Sequence, residues 1–137
     1  MRILIYGAGV IGSLYASLFA EAGVETAVYA RGQRLQNLKL NGLRYEKNGT
    51  IRTANVRVLD VLPGDDIYEF VFLTVRENQL HEALTQLRGN QSPCIVTMVN
   101  SLEDYRVWEQ LCGGERILPA FPGAGGGFAA ARYLHAL

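Results

Sequence analysis

The sequence is poor in cysteine, proline and net charge, and each scarcity excludes something. Only two cysteines occur in 137 residues, Cys94 and Cys112. Lying in different predicted elements, they form neither a disulfide framework nor a metal knuckle, and they suit a reducing cytoplasm. Cys94 reads as a small hydrophobe packed in a strand. Thirteen Lys+Arg balance thirteen Asp+Glu. No basic run disturbs that balance, so no electrostatic footprint for nucleic acid is present. Four prolines and the lack of repeats leave no linker, and the only biased tract is the glycine cluster Gly123–Gly127. An apolar share of 49% is too high for a disordered chain. A chain of this length fits one domain and needs no disulfide or metal to fold.

An uninterrupted hydrophobic segment is also missing. Arg2, the run Ile3–Ala20 and the small-residue pattern Ala20-Glu21-Ala22 have the outline of a signal peptide, or on length a membrane helix. Gly7, Gly9 and Gly12 break that run at fixed offsets, and β-branched residues fill only its first part. A targeting segment needs no such punctuation, so neither a membrane nor a secretory role is expected.

What is present is a βαβ unit. Arg2–Tyr6 reads as a strand buried on both faces, as in a parallel sheet. Gly7-Ala8-Gly9-Val10-Ile11-Gly12 follows, then helix formers from Ser13 to Ala22, with Gly23 placed as a left-handed cap. Thr26–Ala30 reads as the next strand. In this context the glycine spacing has a physical meaning. Gly7 permits the tight turn, Gly9 leaves room for a pyrophosphate, and Gly12 lets the helix pack closely. The helix N-terminus offers free N–H groups and a positive dipole end to the phosphates. The turn from Gly7 through Ala8, Gly9, Val10 and Ile11 to Gly12 is therefore the candidate pyrophosphate site.

Cofactor choice turns on the end of the second strand. NAD-binding units usually carry an acid there, for the ribose hydroxyls. This chain has Tyr29-Ala30-Arg31, with Arg34 just beyond. A guanidinium suits a phosphate through two parallel charge-assisted hydrogen bonds. The expectation is NADP (NADPH), with Arg31 as the main 2′-phosphate ligand and Arg34 beside it. The competing reading is two solvated loop cations.

Further on, Gln33–Leu40 reads as a short helix closed by Asn41-Gly42. Leu43–Lys47 and Thr50–Asn55 flank the hairpin signal Asn48-Gly49. Pro63–Asp66 is a loop. Phe70–Val75 is a buried strand, followed by a helix capped by Asn78, with Leu80, Ala83, Leu84 and Leu87 on one face and Gly89 to close it. Cys94–Val99 is a strand. Ser101 and Asp104 resemble a capping box for a helix carrying Val107, Trp108 and Leu111. Arg116–Leu118 is a last core strand, and Arg132–Leu137 starts one more. The fold class is α/β, a doubly wound parallel sheet of the Rossmann dinucleotide-binding type. In such sheets ligands lie beyond the carboxyl ends of the strands. This brings Thr74, Arg76, Gln79 and Asn100 into the candidate set. A surface cation at helix entry is the plain alternative for Arg76, and a turn residue for Asn100.

Several segments together, ILIYGAGVIG at Ile3–Gly12, Arg31 with the following RLQNLKLNGLRY, FLTVRENQ, and TMVN ending at Asn100, resemble the 2-dehydropantoate 2-reductase (ketopantoate reductase) family. The resemblance covers nearly the whole chain but only the N-terminal half of the usual member. It implies NADPH-dependent reduction of a small-molecule 2-keto acid, ketopantoate in the type member, in pantothenate and coenzyme A biosynthesis. It also implies that Arg31 holds the 2′-phosphate, and that Arg76, Gln79 and Asn100 lie around the nicotinamide end. Two departures stand out. The family usually has Lys where Arg76 stands, and Asn-Gly where Asn100-Ser101 stands. Both bear on the substrate more than on the cofactor.

By the same resemblance, residues 1–137 form the NADP-binding domain, and the family's catalytic Lys belongs to a helical C-terminal domain outside this chain. The expectation is a shortened chain or a fragment gene product that is inactive by itself. His81 and His135 are weak proton-donor candidates, and the pairs Asp65-Asp66 and Glu103-Asp104 read as a loop and a helix first turn. The alternative function is a stand-alone dinucleotide-sensing domain without chemistry. A methyltransferase on the same fold is disfavoured by Arg31. A homodimer is a candidate assembly, favoured by the apolar patch left where a second domain would dock.

Overall fold

The apolar run Arg2–Tyr6 becomes β1, the inner strand of the main sheet. In the computed structural model, residues 1–121 are described, with two further short strands at Gly126–Phe128 and Leu134–Ala136. After β1 come helix α1 (Val10–Glu21), β2 (Glu25–Tyr29) and α2 (Gly32–Asn41). The hairpin β3 (Leu43–Lys47) and β4 (Thr50–Ala54) leads to β5 (Arg57–Leu59) and β6 (Phe70–Leu73). A single 3-10 turn (Glu77–Gln79) enters α3 (Leu80–Leu87), followed by β7 (Ile95–Thr97), α4 (Tyr105–Cys112) and β8 (Ile117–Pro119). The last two strands are β9 (Gly126–Phe128) and β10 (Leu134–Ala136).

Six strands make one sheet in the order β5-β2-β1-β6-β7-β8, every neighbouring pair parallel. Alternation along β1 divides its side chains between two cores. Ile3 and Ile5 pack with Val28, Ala16 and Leu38 on the α1–α2 face. Leu4 and Tyr6 pack with Val71, Leu73, Leu84 and Trp108 on the α3–α4 face. Helices on both faces explain why the strands read as continuous apolar runs. The doubly wound α/β sheet expected from the sequence is the observed one.

Arg116 ties the α3–α4 side together. Its guanidinium donates to the carbonyls of Leu87, Asn90, Ser92 and Cys112 at 3.2, 2.7, 2.9 and 2.9 Å. Leu87 and Cys112 are the last residues of α3 and α4, whose terminal carbonyls lack intrahelical partners. Arg116→Met is expected to destabilise the fold by about 3 kcal/mol, since bonds to charged donors are worth about 1.5–3 kcal/mol each and several carbonyls lose a partner together. Urea unfolding should show a lower midpoint at unchanged slope. An unchanged midpoint would mean that water replaces the guanidinium without loss.

Several expectations about local structure are corrected. Asn78 does not cap α3. It lies inside the 3-10 turn, and Gln79 precedes the helix. Gly89 closes α3 as expected, directly after the Arg88 cap, and its N–H donates to the Gln86 carbonyl at 3.2 Å. Ser101 and Asp104 do not form a capping box. Asp104 is itself the N-cap of α4 and accepts from the Arg106 N–H at 2.9 Å, while Ser101 Oγ accepts from the Glu103 N–H at 3.1 Å. Cys94 sits one residue ahead of β7, although its carbonyl still accepts from Val71 across the sheet at 2.9 Å. The strand expected over 132–137 forms at Leu134–Ala136 but joins the hairpin, in a second sheet ordered β4-β3-β10-β9. Gly123–Gly125 of the glycine cluster lie outside the described residues, as does the side chain of His135.

Candidate functional site

The glycine turn occupies the carboxyl end of β1. Gly7 has φ +106°, a conformation that only glycine adopts without strain, and a Cβ there would also crowd the Thr74 carbonyl at 3.1 Å. At Gly12 a Cβ would stand 1.9 Å from the Gly7 carbonyl oxygen and 2.6 Å from Thr74 Oγ1. Gly12 is thus required for α1 to close onto the turn. Gly9 differs from both: a Cβ there meets nothing within 4 Å. It caps α1 with extended backbone and no side-chain bond, so the first N–H groups of the helix have no side-chain cap. Val10 and Ile11 open α1, and their side chains do not line the adjoining cleft.

Three side chains hold this turn, one of them Ser13, whose Oγ donates to the Ala8 carbonyl at 3.1 Å. Thr74 Oγ1, just after β6, donates to the Gly7 carbonyl at 2.7 Å, with the Tyr6 carbonyl 3.2 Å away. Arg34, on α2, donates from Nε to the Ala8 carbonyl at 2.8 Å and from its terminal nitrogen to Ser13 Oγ at 3.0 Å. Thr74 and Arg34 were candidate cofactor contacts from sequence, and both are engaged with the turn itself.

A cleft of about 220 Å³ opens beside the turn. Gly7, Ala8, Gly9, Arg31, Arg34, Thr74, Arg76 and Gln79 line it, so most of the sequence-predicted residues converge on one place. Parallel order explains the convergence: β2 and β6 flank β1, and the segments after their carboxyl ends face each other across it. Gln79 Oε1 accepts weakly from the Arg76 N–H at 3.4 Å. Asn100 is exposed and is not among the residues lining the cleft. Its neighbour Ser101 donates to Glu77 at 3.2 Å, which links the β7 turn to the 3-10 turn.

The sequence did not reveal the floor of the cleft. Tyr6 and Tyr29 are register partners at the ends of β1 and β2, and their rings stack with centroids 4.6 Å apart. Gln86 bridges them, accepting from the Tyr6 hydroxyl and donating to the Tyr29 hydroxyl at 2.9 Å. Burial, with the neighbouring Tyr29, pushes the Tyr6 phenol well above its ordinary range. Two tyrosines each ending a strand next to the turn were the available signal.

Nor did the sequence give the partner of Arg31. Its Nη1 donates to Glu82 Oε1 on α3 at 2.8 Å, and both side chains are more than half exposed. The pairing raises the guanidinium pKa and lowers that of the carboxyl. His81 lies on the exposed side of α3, as expected. Its Nε2 is 2.6 Å from Glu103 Oε1, which also accepts from Trp108 Nε1 at 2.6 Å. Among the described residues no group of three His, Cys, Asp or Glu is arranged to hold a metal. Among them, too, no helix is long and apolar enough to cross a membrane.

The family model for ketopantoate reductase PanE/ApbA matches residues 3–130. The chain belongs to the ketopantoate reductase PanE/ApbA family. It is 34% identical over 106 residues to the 2-dehydropantoate 2-reductase of Mesorhizobium japonicum, covering 74% of this chain and 32% of that protein. The chain spans about a third of the length of the curated relatives it matches. Among solved structures, D-mandelate dehydrogenase in ternary complex with NADH and anilino(oxo)acetate superposes with a TM-score of 0.87 at 19% identity. That match covers 100% of this chain and 46% of the dehydrogenase. A PanE/ApbA family ketopantoate reductase from Ralstonia eutropha superposes with a TM-score of 0.83 at 21% identity, covering 99% of this chain and 46% of the other. These likenesses identify the fold as Rossmann-type.

Proposed function

We propose that these residues form the cofactor-binding part of an NADPH-dependent reductase that converts a 2-keto acid, 2-dehydropantoate, to its 2-hydroxy acid. Family membership supports the reaction class, and favours it over a sensing domain without chemistry. One observation carries the cofactor reading. The open cradle at Gly9 and the N-terminus of α1 share a cleft with Arg31, and β2 carries no carboxylate at its Tyr29 end.

A nicotinamide dinucleotide fits these residues. When bound, its reduced ring supplies the hydride for the keto carbon. The first-turn N–H groups of α1 bind the pyrophosphate, which approaches over Gly9. Arg31 grips the 2′-phosphate. Thr74 and Arg34 keep the turn in shape by occupying the carbonyls of Gly7 and Ala8. Arg76 and Gln79, on the segment after β6, line the same cleft and are within reach of the bound cofactor. Asn100, beyond β7 and farther along the sheet, is left for the nicotinamide end. A cytoplasmic place in pantothenate synthesis accords with this chemistry.

Arg31→Ala tests the reading. Charge-assisted bonds to phosphate contribute about 1.5–3 kcal/mol, so the unmutated protein should prefer NADPH over NADH by about tenfold or more. The variant should lose that preference through weaker NADPH binding, with NADH affinity almost unchanged. Titration calorimetry measures both. Equal affinities for the two cofactors before mutation would remove Arg31 from this role.

A further inference from the structure

The acid that the sequence lacks at the end of β2 is supplied from another element. Glu82, in the first turn of α3, sets its carboxylate 2.8 Å from Arg31 Nη1. Ala83 beside it lines the cleft, as does Arg31. The ion pair therefore runs from the β2–α2 corner to α3, next to the stacked Tyr6–Tyr29 rings of the cleft floor. The described ion pairs include no other partner for Arg31.

We infer that Glu82 is a specificity-determining residue, the counter-ion that a cofactor 2′-phosphate must displace from Arg31. The inference rests on the reading of Arg31 as the 2′-phosphate ligand and adds to it the group that opposes that ligand. The phosphate and the carboxylate are both anions and compete for one guanidinium. Side by side they also repel each other, at a distance where exposed charges still interact. A cofactor without the 2′-phosphate does not compete, and leaves the Arg31–Glu82 bond in place. Glu82 thus narrows the preference for NADPH over NADH that Arg31 creates. Both partners are exposed, so displacement is cheap and the effect modest.

The experiment is calorimetric titration of NADPH and NADH into four proteins at one fixed ionic strength: unmutated, Glu82→Gln, Arg31→Ala and the double variant. Glu82→Gln should tighten NADPH binding by about threefold to fivefold. NADH binding should stay within about twofold, as expected of a surface substitution outside its contacts. In the Arg31→Ala background the same substitution should change NADPH binding by less than about twofold, the mark of a coupled pair. Raising the salt should shrink the Glu82→Gln effect. If Arg31→Ala abolishes the NADPH preference while Glu82→Gln leaves NADPH affinity untouched, Arg31 keeps its role and Glu82 has none. If Arg31→Ala leaves the preference intact, the reading of Arg31 fails and takes this inference with it.

Discussion

Gly9→Val should abolish dinucleotide binding and leave the protein folded. The backbone at Gly9, φ −73° and ψ −160°, is open to any residue, and an added Cβ meets no atom within 4 Å. Nothing in the fold therefore resists the substitution. The space it fills is the one over which a pyrophosphate must approach the N-terminus of α1. Losing two charge-assisted contacts there costs about 3 kcal/mol or more, on the order of a hundredfold in affinity. Gly12→Ala provides the contrast. Its methyl group would lie 1.9 Å from the Gly7 carbonyl oxygen, so α1 or the turn must shift. Overpacking of that kind costs about 1–3 kcal/mol, and a backbone obstacle puts this case at the upper end. Thermal unfolding and cofactor titration on both variants separate the two roles: Gly9→Val loses binding at unchanged Tm, and Gly12→Ala loses Tm. Undiminished NADPH affinity in a folded Gly9→Val protein would place the phosphates elsewhere.

The features legible in the sequence were those fixed by local chemistry. The turn from Gly7 to Gly12 follows from φ and close approach at single residues. The Asn48-Gly49 hairpin forms as expected, with both residues at positive φ, 53° and 77°. Continuous apolar runs gave β1 and β6 because both faces of the sheet are covered. By contrast, β5 was missed. It is three residues long and half-exposed at the sheet edge, with Arg57 and Asp60 at its borders, so no apolar run marks it. Side-chain partners at long range were equally invisible. Thr74 could be recognised as a clamp on the glycine turn only once β6 was known to lie beside β1. Tyr6 and Tyr29 become a pair only through the parallel register of β1 and β2. Arg31 lines the cleft, but its partner Glu82 is 51 positions away on another helix. Sequence pattern thus points to several residues that line the cleft. The topology decides which of them are already occupied there.

That occupancy leads to the largest expected effect. These 137 residues, produced by themselves, should bind NADPH yet reduce 2-dehydropantoate negligibly. Hydride arrival at the keto carbon generates an alkoxide, which needs a proton. Arg31, Arg34 and Arg76 line the cleft, but a guanidinium keeps its protons at any working pH. The Thr74 hydroxyl donates to the Gly7 carbonyl. The Tyr6 phenol is raised by burial and donates to Gln86. His81 is held by Glu103 on the exposed side of α3 and does not line the cleft. Apart from Tyr29, whose hydroxyl accepts from Gln86, no described residue in the cleft has a proton free to give. A positioned general acid typically contributes about 10²–10⁴-fold. Orientation of the keto acid, which requires more than one wall, contributes up to about 7–11 kcal/mol in favourable cases. The measurement is NADPH oxidation with 2-dehydropantoate and other 2-keto acids, after calorimetry has shown that the cofactor binds. The expected rate is indistinguishable from that without protein. Turnover at an ordinary enzyme rate of about 1–10³ s⁻¹ would instead locate a proton donor within these residues.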